Sequence, residues 1–339
     1  MLTTDLPTGA LGGTDMAITG VGFGAWAVGG GGWAFSWGDQ DDDDSVAAIR
    51  HAVEQGVNWV DTAAVYGLGH SEEVVGRALR DLPEADRPYV FTKCGLVWDP
   101  AKPTEEPQRV GDPASIRREV EESLRRLGVE RIDLYQMHWP AGDGTPLEDY
   151  WRTLLDLRDQ GKVRAVGLSN HDVGQLEAAE TVGHVDSLQP LFSALHRNAA
   201  GDVIPWCATH GTAVIVYSPM QSGLLTGSFS RQRAAALGSD DWRARSADFR
   251  GEGLDRNLAL ADALEPVARR HGVSVAAVAV AWTRAWPGVT GAIVGARRPS
   301  QVDGWLPAAR LELTAADLDE VARAIRESGA GEGLARPPG

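Results

Sequence analysis

Short runs of apolar or β-branched residues alternate with longer amphipathic segments along most of the chain. Eight such runs stand out, at residues 21–24, 58–61, 89–93, 132–137, 165–168, 187–189, 213–217 and 292–295. They lack a clean alternation of polar and apolar positions, which is typical of strands covered on both faces in a parallel sheet. The pattern therefore predicts eight parallel strands joined by helices.

The segments between these runs have the spacing of amphipathic helices. Ahead of the fourth run, apolar residues three or four apart share one face: Ile116, Val120, Leu124 and Leu127. Asp112 and Pro113 supply a typical N-cap and first-turn residue for this helix. Similar spacing predicts helices at 45–55, 71–80, 147–160, 254–270 and 314–327, the last opened by a capping box of Thr314 and Asp317.

Eight strands with helices between them predict an α/β fold, a closed (β/α)8 TIM barrel, rather than a doubly wound sheet. The glycine-rich stretch 20–24 resembles a dinucleotide fingerprint, but Trp26 and the glycines of 29–32 follow it instead of a helix. No linker divides the chain, so residues 1–339 are predicted to form one domain. Two irregular insertions, 29–44 and 218–253, are expected on the active-site face.

Acidic residues outnumber basic ones, 47 against 32, and the formal net charge is −15. This balance argues against a nucleic-acid or anionic-membrane partner, because both require a basic surface.

Cys94 and Cys207 lack metal-binding spacing, and the acidic run 41–44 is interpreted as the exposed start of a helix. No leader peptide is recognisable, and the longest apolar run, 273–282, is too short to span a membrane. We expect a cytoplasmic protein without a metal site.

Four polar residues lie at or just beyond the ends of predicted strands and would meet at one mouth of the barrel. Asp61 and Lys93 end their runs, His138 follows the fourth run, and Tyr66 lies five residues past Asp61. A phenol is a weak acid at neutral pH, and an ammonium beside it should lower its pKa. Lys93 can supply that ammonium, Asp61 can neutralise it, and His138 can orient a substrate oxygen. The set predicts a proton-donating site that needs neither a nucleophile nor a metal.

These residues stand within a longer series of motifs in a fixed order. The series runs through Asp61-Thr62-Ala63, Tyr66-Gly67, Ser71-Glu72, Lys93, His138-Trp139-Pro140, Gly167-Leu168-Ser169-Asn170, Gln189, Tyr217-Ser218-Pro219, Gly223-Leu224-Leu225-Thr226-Gly227 and Ile293-Val294-Gly295-Ala296-Arg297. It resembles the aldo-keto reductase family over nearly the whole chain. The resemblance implies a barrel closed by an N-terminal hairpin within 1–20, a cofactor loop at 218–253, a C-terminal helix and a tail at 329–339.

By the same resemblance, NADPH would lie across the mouth and pass hydride to a carbonyl carbon. Tyr66 would be the general acid, Lys93 and Asp61 would adjust its acidity, and His138 would orient the carbonyl. The expected cofactor residues are Gly24, Ala25, Trp26, Asp61, Ser169, Asn170, Gln189, Tyr217, Ser218, Pro219, Met220, Gly223, Leu224, Gly227, Gly295, Arg297 and Gln301. Amides and hydroxyls at strand ends suit a carboxamide, and an arginine fork suits a 2′-phosphate. NADPH is therefore favoured over NADH.

The sequence departs from the family after Gln301, where Gly304-Trp305 replaces a Glu-Asn pair, so Trp305 either stacks on adenine or packs the last helix. Among 12 tryptophans, Trp26, Trp98 and Trp139 are expected to line the substrate pocket.

The expected activity is reduction of an aldehyde or ketone. Oxidation of a sugar or polyol and a non-catalytic NADPH-binding regulatory subunit are the alternatives, and a homo-oligomer stays open.

Overall fold

The computed structural model describes residues 5–338 and is organised around a closed cylinder of parallel strands. Its strands are β1 (Thr8–Ala10), β2 (Ala17–Thr19), β3 (Val21–Gly24), β4 (Trp59–Asp61), β5 (Tyr89–Cys94), β6 (Leu96–Val97), β7 (Gln108–Arg109), β8 (Ile132–Met137), β9 (Val163–Ser169), β10 (Ser187–Gln189), β11 (Ala213–Tyr217) and β12 (Val289–Gly295). The cylinder closes in the order β3-β4-β5-β8-β9-β10-β11-β12, and each predicted run falls on one of these strands. The predicted (β/α)8 barrel is confirmed.

Helices surround the cylinder and connect its strands. They are α1 (Asp42–Glu54), α2 (His70–Arg80), α3 (Pro113–Leu127), α4 (Leu147–Asp159), α5 (Val173–Glu180), α6 (Val203–His210), α7 (Arg231–Ala235), α8 (Gly251–Ala263), α9 (Glu265–His271), α10 (Val275–Arg284), α11 (Pro299–Trp305) and α12 (Ala315–Ser328). Short 3-10 turns lie at Trp26–Gly29, Tyr66–Gly69, Glu84–Asp86, Asn198–Gly201, Gln221–Thr226, Trp242–Arg245, Ala247–Phe249 and Leu306–Ala309. Among the helices of residues 5–338, none is long and apolar enough to cross a membrane.

An antiparallel hairpin of β1 and β2 covers the amino end of the cylinder, as expected. Its buried residues Leu11, Met16 and Ile18 pack into the barrel interior together with Trp59 and Phe91. The Trp59 indole also donates to the carbonyl of Thr19 at 2.8 Å. A Cβ at position 22 would lie 2.2 Å from the Trp59 ring, so only glycine permits this packing. The filled lower half leaves the opposite mouth for a ligand.

Two helix predictions need correction. The helix expected from residue 45 begins at Asp42, because Asp41 caps it by accepting from the amides of Asp43 and Asp44. The helix expected over 254–270 is two helices, α8 and α9, with a break at Leu264. Pro266 in the first turn of α9 has no N–H and its ring excludes a continuous helix. The capping box at Thr314 and Asp317 is confirmed.

Candidate active site

A buried ion pair lies at the open mouth of the barrel, where β4 and β5 end. The Lys93 ammonium donates to Asp61 Oδ1 at 2.6 Å and to the Thr62 carbonyl at 2.8 Å. The other Asp61 oxygen accepts from the Gln189 amide at 2.9 Å. Burial raises the pKa of Asp61 and lowers the pKa of Lys93, while their mutual attraction opposes both shifts. Each charge is therefore tolerated only because the other is present.

Tyr66 lies beside this pair on a tight turn that follows β4. Its ring centroid is 5.1 Å from Nζ of Lys93, and its ring faces His138 edge-on at 5.6 Å. The turn is fixed by Gly67, whose φ is +60° and whose Cβ, if present, would lie 2.1 Å from the carbonyl oxygen of Gly29. Only glycine permits this close approach, so the turn that carries Tyr66 is locked against the loop after β3.

The phenol of Tyr66 is protonated at neutral pH. Burial raises its pKa well above the usual value, and the Asp61 carboxylate and Tyr217 act in the same direction. The expected net lowering of this pKa is therefore not found, because burial dominates the shift. Asp61 engages the ammonium and partly offsets its attraction for a phenolate.

His138 completes the polar end of the site. Burial lowers the pKa of its imidazole well below the usual value, and the positive charge of Lys93 adds to this effect. A neutral imidazole keeps one ring N–H and can donate it to an oxygen atom. His138 thus contributes a hydrogen-bond donor without a second positive charge.

Asn170, Ser169 and Tyr217 form a connected polar cradle at the ends of β9 and β11. The Tyr217 hydroxyl donates to Asn170 Oδ1 at 2.8 Å, and the Asn170 amide donates to the His138 carbonyl at 3.0 Å. These bonds hold Asn170 in a left-handed conformation with φ of +62°. Ser169 Oγ donates to the Gln189 carbonyl at 2.8 Å. Side chains with both donors and acceptors are thereby presented from fixed positions.

Two cavities meet at Tyr66, Trp26 and Tyr217, which line both of them. The larger is an open cleft of about 1360 Å³, a volume that includes space open to solvent. Twelve of the expected cofactor residues lie on its walls: Gly24, Ala25, Trp26, Asp61, Tyr217, Ser218, Pro219, Met220, Gly223, Gly295, Arg297 and Gln301. The smaller cavity, of about 1020 Å³ with its solvent-open space included, is lined by Ser169, Asn170 and Gln189 together with His138 and Trp139. The mouth therefore offers one long cleft and one shorter pocket with Tyr66 between them.

Five predicted residues have positions that modify their expected roles. Leu224 is fully buried, and Gly227 lies close to Val275 and is not itself a lining residue, although Thr226 and Ser228 beside it are. Trp98 is not on the wall of the smaller cavity and instead packs against the buried cluster of Trp33, Ala63 and Val65. Trp305 is almost entirely buried, with an edge on the larger cleft next to Gly304.

The fifth, Arg297, is held by the loop after β3. Its guanidinium donates to the carbonyls of Trp37 and Asp39 and to the Gln40 side chain. These contacts fix the guanidinium at the wall of the larger cleft but occupy several of its donors.

The sequence analysis missed two further arginines on the larger cleft. Arg243 forms a buried ion pair with Asp241 at 2.5 Å and stacks over Trp37. Arg233 contacts the ring of Phe229 and has no carboxylate partner among residues 5–338. Burial lowers the pKa of Arg233, and the charges of Arg243 and Arg298 add to this effect. Both arginines lie in the irregular insertion 218–253, where no periodic pattern signals a position on a wall.

The same insertion reaches across the larger cleft to the loop after β3. The Trp242 amide donates to the Ser36 carbonyl at 3.0 Å, and Ser36 Oγ donates to the Asp240 carbonyl at 2.7 Å. The Trp242 ring stacks on Trp26 with centroids 5.2 Å apart. The two insertions expected on the active-site face thus meet above the cleft.

A family comparison decides what this arrangement is. The model of the aldo/keto reductase family matches residues 21–326. The chain belongs to the aldo/keto reductase family. It is an oxidoreductase that uses a nicotinamide cofactor and acts on small carbonyl compounds.

Relatives of this reductase span almost its whole length. An NADH-specific methylglyoxal reductase from Escherichia coli strain K12 is 34% identical over 329 residues, covering 93% of this chain and 98% of the relative. An aldo-keto reductase from Bacillus subtilis strain 168 is 33% identical over 296 residues, covering 86% of each chain. Among solved structures, a glycerol dehydrogenase from Gluconobacter oxydans matches with a TM-score of 0.84 and 36% identity, covering 98% of both chains.

The larger cleft of this aldo/keto reductase fits a dinucleotide. Gly24 and Gly295 are paired across β3 and β12 and leave its floor free of side chains. Arginines supply positive charge along one wall of an acidic protein. Tyr217 presents an aromatic ring where the cleft meets the polar cradle. The arginines suit the phosphate groups of a nicotinamide cofactor, the Tyr217 ring suits its aromatic ring, and the polar cradle suits its amide.

No group of three or more His, Cys, Asp or Glu within residues 5–338 is arranged to hold a metal ion. The carboxylate of Asp61 is engaged by Lys93 and Gln189. The chemistry available at the mouth is therefore hydrogen bonding, proton donation and ion pairing by side chains.

Proposed function

We propose that the protein reduces an aldehyde or ketone to an alcohol with NADPH, and that Tyr66 is the general acid. The observation that carries this proposal is the position of Tyr66, on the shared wall of the two cavities and beside Lys93. A group at that junction can reach a substrate in the smaller cavity while a cofactor fills the larger one. Bound NADPH would supply the hydride.

The raised pKa of Tyr66 suits proton donation. The phenol keeps its proton through neutral pH and can transfer it to an alkoxide, which is a far stronger base. Neutral His138 donates a second hydrogen bond to the same oxygen, and the Lys93 ammonium stabilises negative charge as it develops. The aromatic side chains packed around Trp26 lower the local dielectric, which strengthens these interactions.

Arg233 is the best candidate to bind the 2′-phosphate of NADPH. It lies on the cleft wall, and unlike Arg243 and Arg297 it is not committed to a carboxylate or a loop carbonyl. An uncompensated guanidinium favours an additional phosphate over the ribose hydroxyl of NADH. The related enzyme from Escherichia coli is named NADH-specific, and kinetics of an Arg233→Ala variant with NADPH and NADH test the preference of this chain.

The Tyr66→Phe variant tests the proposed acid. We expect a fall in kcat of about 10² or more, the range for loss of a general acid, with an unchanged Kd for NADPH. Turnover is followed by oxidation of NADPH with aromatic and aliphatic aldehydes, and binding by quenching of tryptophan fluorescence. Tyr89→Phe is the matched control, since Tyr89 opens β5 at the opposite end of the barrel. Wild-type turnover in Tyr66→Phe would remove this residue from the mechanism.

A further inference from the structure

The smaller cavity has a charged outer rim that the proposed reaction does not use. We infer that Glu106 and Arg109 on this rim select a neutral substrate carrying several hydroxyl groups, a sugar or polyol derivative, rather than an anionic carbonyl compound. The inference rests on the proposed function and specifies its substrate class. It assigns these two residues a role in specificity and none in the chemical step.

The two ends of the cavity are polar and its walls between them are aromatic. Tyr66 and His138 form the inner end, and Glu106 and Arg109 line the rim. Trp33, Phe35 and Trp139 supply rings between the two ends. A chain with a carbonyl at one end and hydroxyl groups farther along could place its C–H faces on these rings and its remote hydroxyl groups at the rim.

The backbone of Arg109 is fixed in the hairpin of β6 and β7, and its exposed guanidinium keeps its donors free. Its backbone pairs with Leu96 across the β6–β7 hairpin, and its carbonyl accepts from the Gly142 amide at 2.9 Å. The guanidinium stacks on the Trp139 ring at 4.5 Å. Stacking orients the plane of the guanidinium but leaves its N–H groups available at the edges. Among residues 5–338, no side chain accepts a hydrogen bond from these groups.

Glu106 determines which of two substrate classes suits the rim. Its carboxylate is exposed on the same rim and has no ion-pair partner among residues 5–338. An anionic substituent would gain attraction from Arg109 but meet repulsion from Glu106 and from a chain of net charge −15. A hydroxyl group donates to a carboxylate and accepts from a guanidinium, so it uses both residues.

Three five-carbon compounds with the same reacting end test the inference. They are xylitol, 1,2-pentanediol and 4,5-dihydroxypentanoate, oxidised with NADP by the purified full-length protein. We expect the wild type to have the highest kcat/KM for xylitol. Both Arg109→Ala and Glu106→Ala should lower the xylitol to 1,2-pentanediol ratio of kcat/KM by about tenfold, as expected for loss of a hydrogen bond to a charged group. Glu106→Ala should also raise the relative kcat/KM for 4,5-dihydroxypentanoate.

Lys102→Ala is the matched control, because Lys102 lies on the same loop in an exposed ion pair with Glu105 and does not line the cavity. This control should leave the ratio unchanged. A wild-type preference for the carboxylate or for 1,2-pentanediol overturns the inference, as do unchanged ratios in both rim variants. Reduction of simple aldehydes without oxidation of xylitol overturns it while the proposed function stands. Absence of turnover with every aldehyde and alcohol overturns both.

Discussion

Asp61 and Lys93 are both buried at the bottom of the mouth, with side chains exposed by 3% and 0% respectively. Two opposite charges in such a place are stabilised by each other and by the Thr62 carbonyl and the Gln189 amide. Removing one partner leaves an unpaired charge that water cannot reach. Removing both leaves a neutral site of nearly the same volume.

Lys93→Met should therefore lower the free energy of unfolding by about 3–5 kcal/mol, the range for breaking a buried pair. The double variant Lys93→Met with Asp61→Asn should recover much of that loss, because no unpaired charge remains. Reductase activity should stay low in both variants, since both lack the ammonium beside Tyr66. Urea unfolding and NADPH oxidation measure the two effects separately. Equal destabilisation of the single and double variants would contradict this account of the pair.

Cofactor selectivity at the residue scale depends on Arg233, the cleft arginine that is bound neither to a carboxylate nor to a loop carbonyl among residues 5–338. We expect Arg233→Ala to raise KM for NADPH by about tenfold and leave KM for NADH within about twofold, since only the 2′-phosphate loses a charged hydrogen bond. Arg231→Ala is the control, because Arg231 is exposed on the same helix and paired with Asp255. Steady-state kinetics of both variants with NADPH and with NADH measure these KM values. A parallel loss for NADPH and NADH would place Arg233 near a phosphate common to both.

At the scale of elements, the C-terminal helix is anchored by one carboxylate. Asp317 is buried in the first turn of α12, accepts from Thr314 in the capping box, and pairs with Arg270 and His271. Burial alone would raise the pKa of Asp317, but hydrogen bonds from Thr314 and His271, with Arg270, hold it below the usual range. A lowered folded-state pKa means that the ionised form stabilises the fold above the ordinary carboxyl pKa. That contribution is lost as the pH falls through the lowered value.

Asp317→Asn should thus lower the free energy of unfolding at pH 7 by at least about 1 kcal/mol, the typical value of a helix cap. The difference from the wild type should shrink as the pH falls below about 4, where the unfolded carboxyl becomes protonated. Asp319→Asn, on the exposed side of α12, is the control. Urea titrations at several pH values measure the effect, and a difference that grows toward acid would contradict the assigned sign.

The strands and the polar residues at their ends were predictable, and the wall of the larger cleft was only partly so. Asp61 and Lys93 end apolar runs and His138 follows one, and parallel strands bring such positions to one end of a barrel. Arg233 and Arg243 lie in an insertion whose path depends on contacts with Ser36 and Trp26, far away in sequence. The sign of the Tyr66 pKa shift depends on burial and on how Asp61 engages Lys93, and neither follows from spacing.

At the scale of the whole molecule, the larger cleft exists only when the cylinder is closed. Its walls combine the loop after β3, the insertion after β11 and the turn after β12, so they draw on both ends of the chain. Hydrogen bonds between Ser36 and Asp240 and between Arg245 and the Ala34 carbonyl join the first two of these walls. A dinucleotide that binds there should have no comparable site in the unfolded chain.

Binding of a cofactor should therefore stabilise the entire fold. At a concentration of about 100 times its Kd, a ligand that binds only the folded state adds about 2.7 kcal/mol, which corresponds to a rise in Tm of a few degrees for a domain of this size. NADPH should raise Tm more than NADH at equal concentration, and Arg233→Ala should remove most of that difference while Arg231→Ala preserves it. Calorimetric scans against ligand concentration measure both effects. A Tm that does not respond to either nicotinamide cofactor would contradict the assignment of the larger cleft, whereas equal rises with the two cofactors would contradict only the role of Arg233.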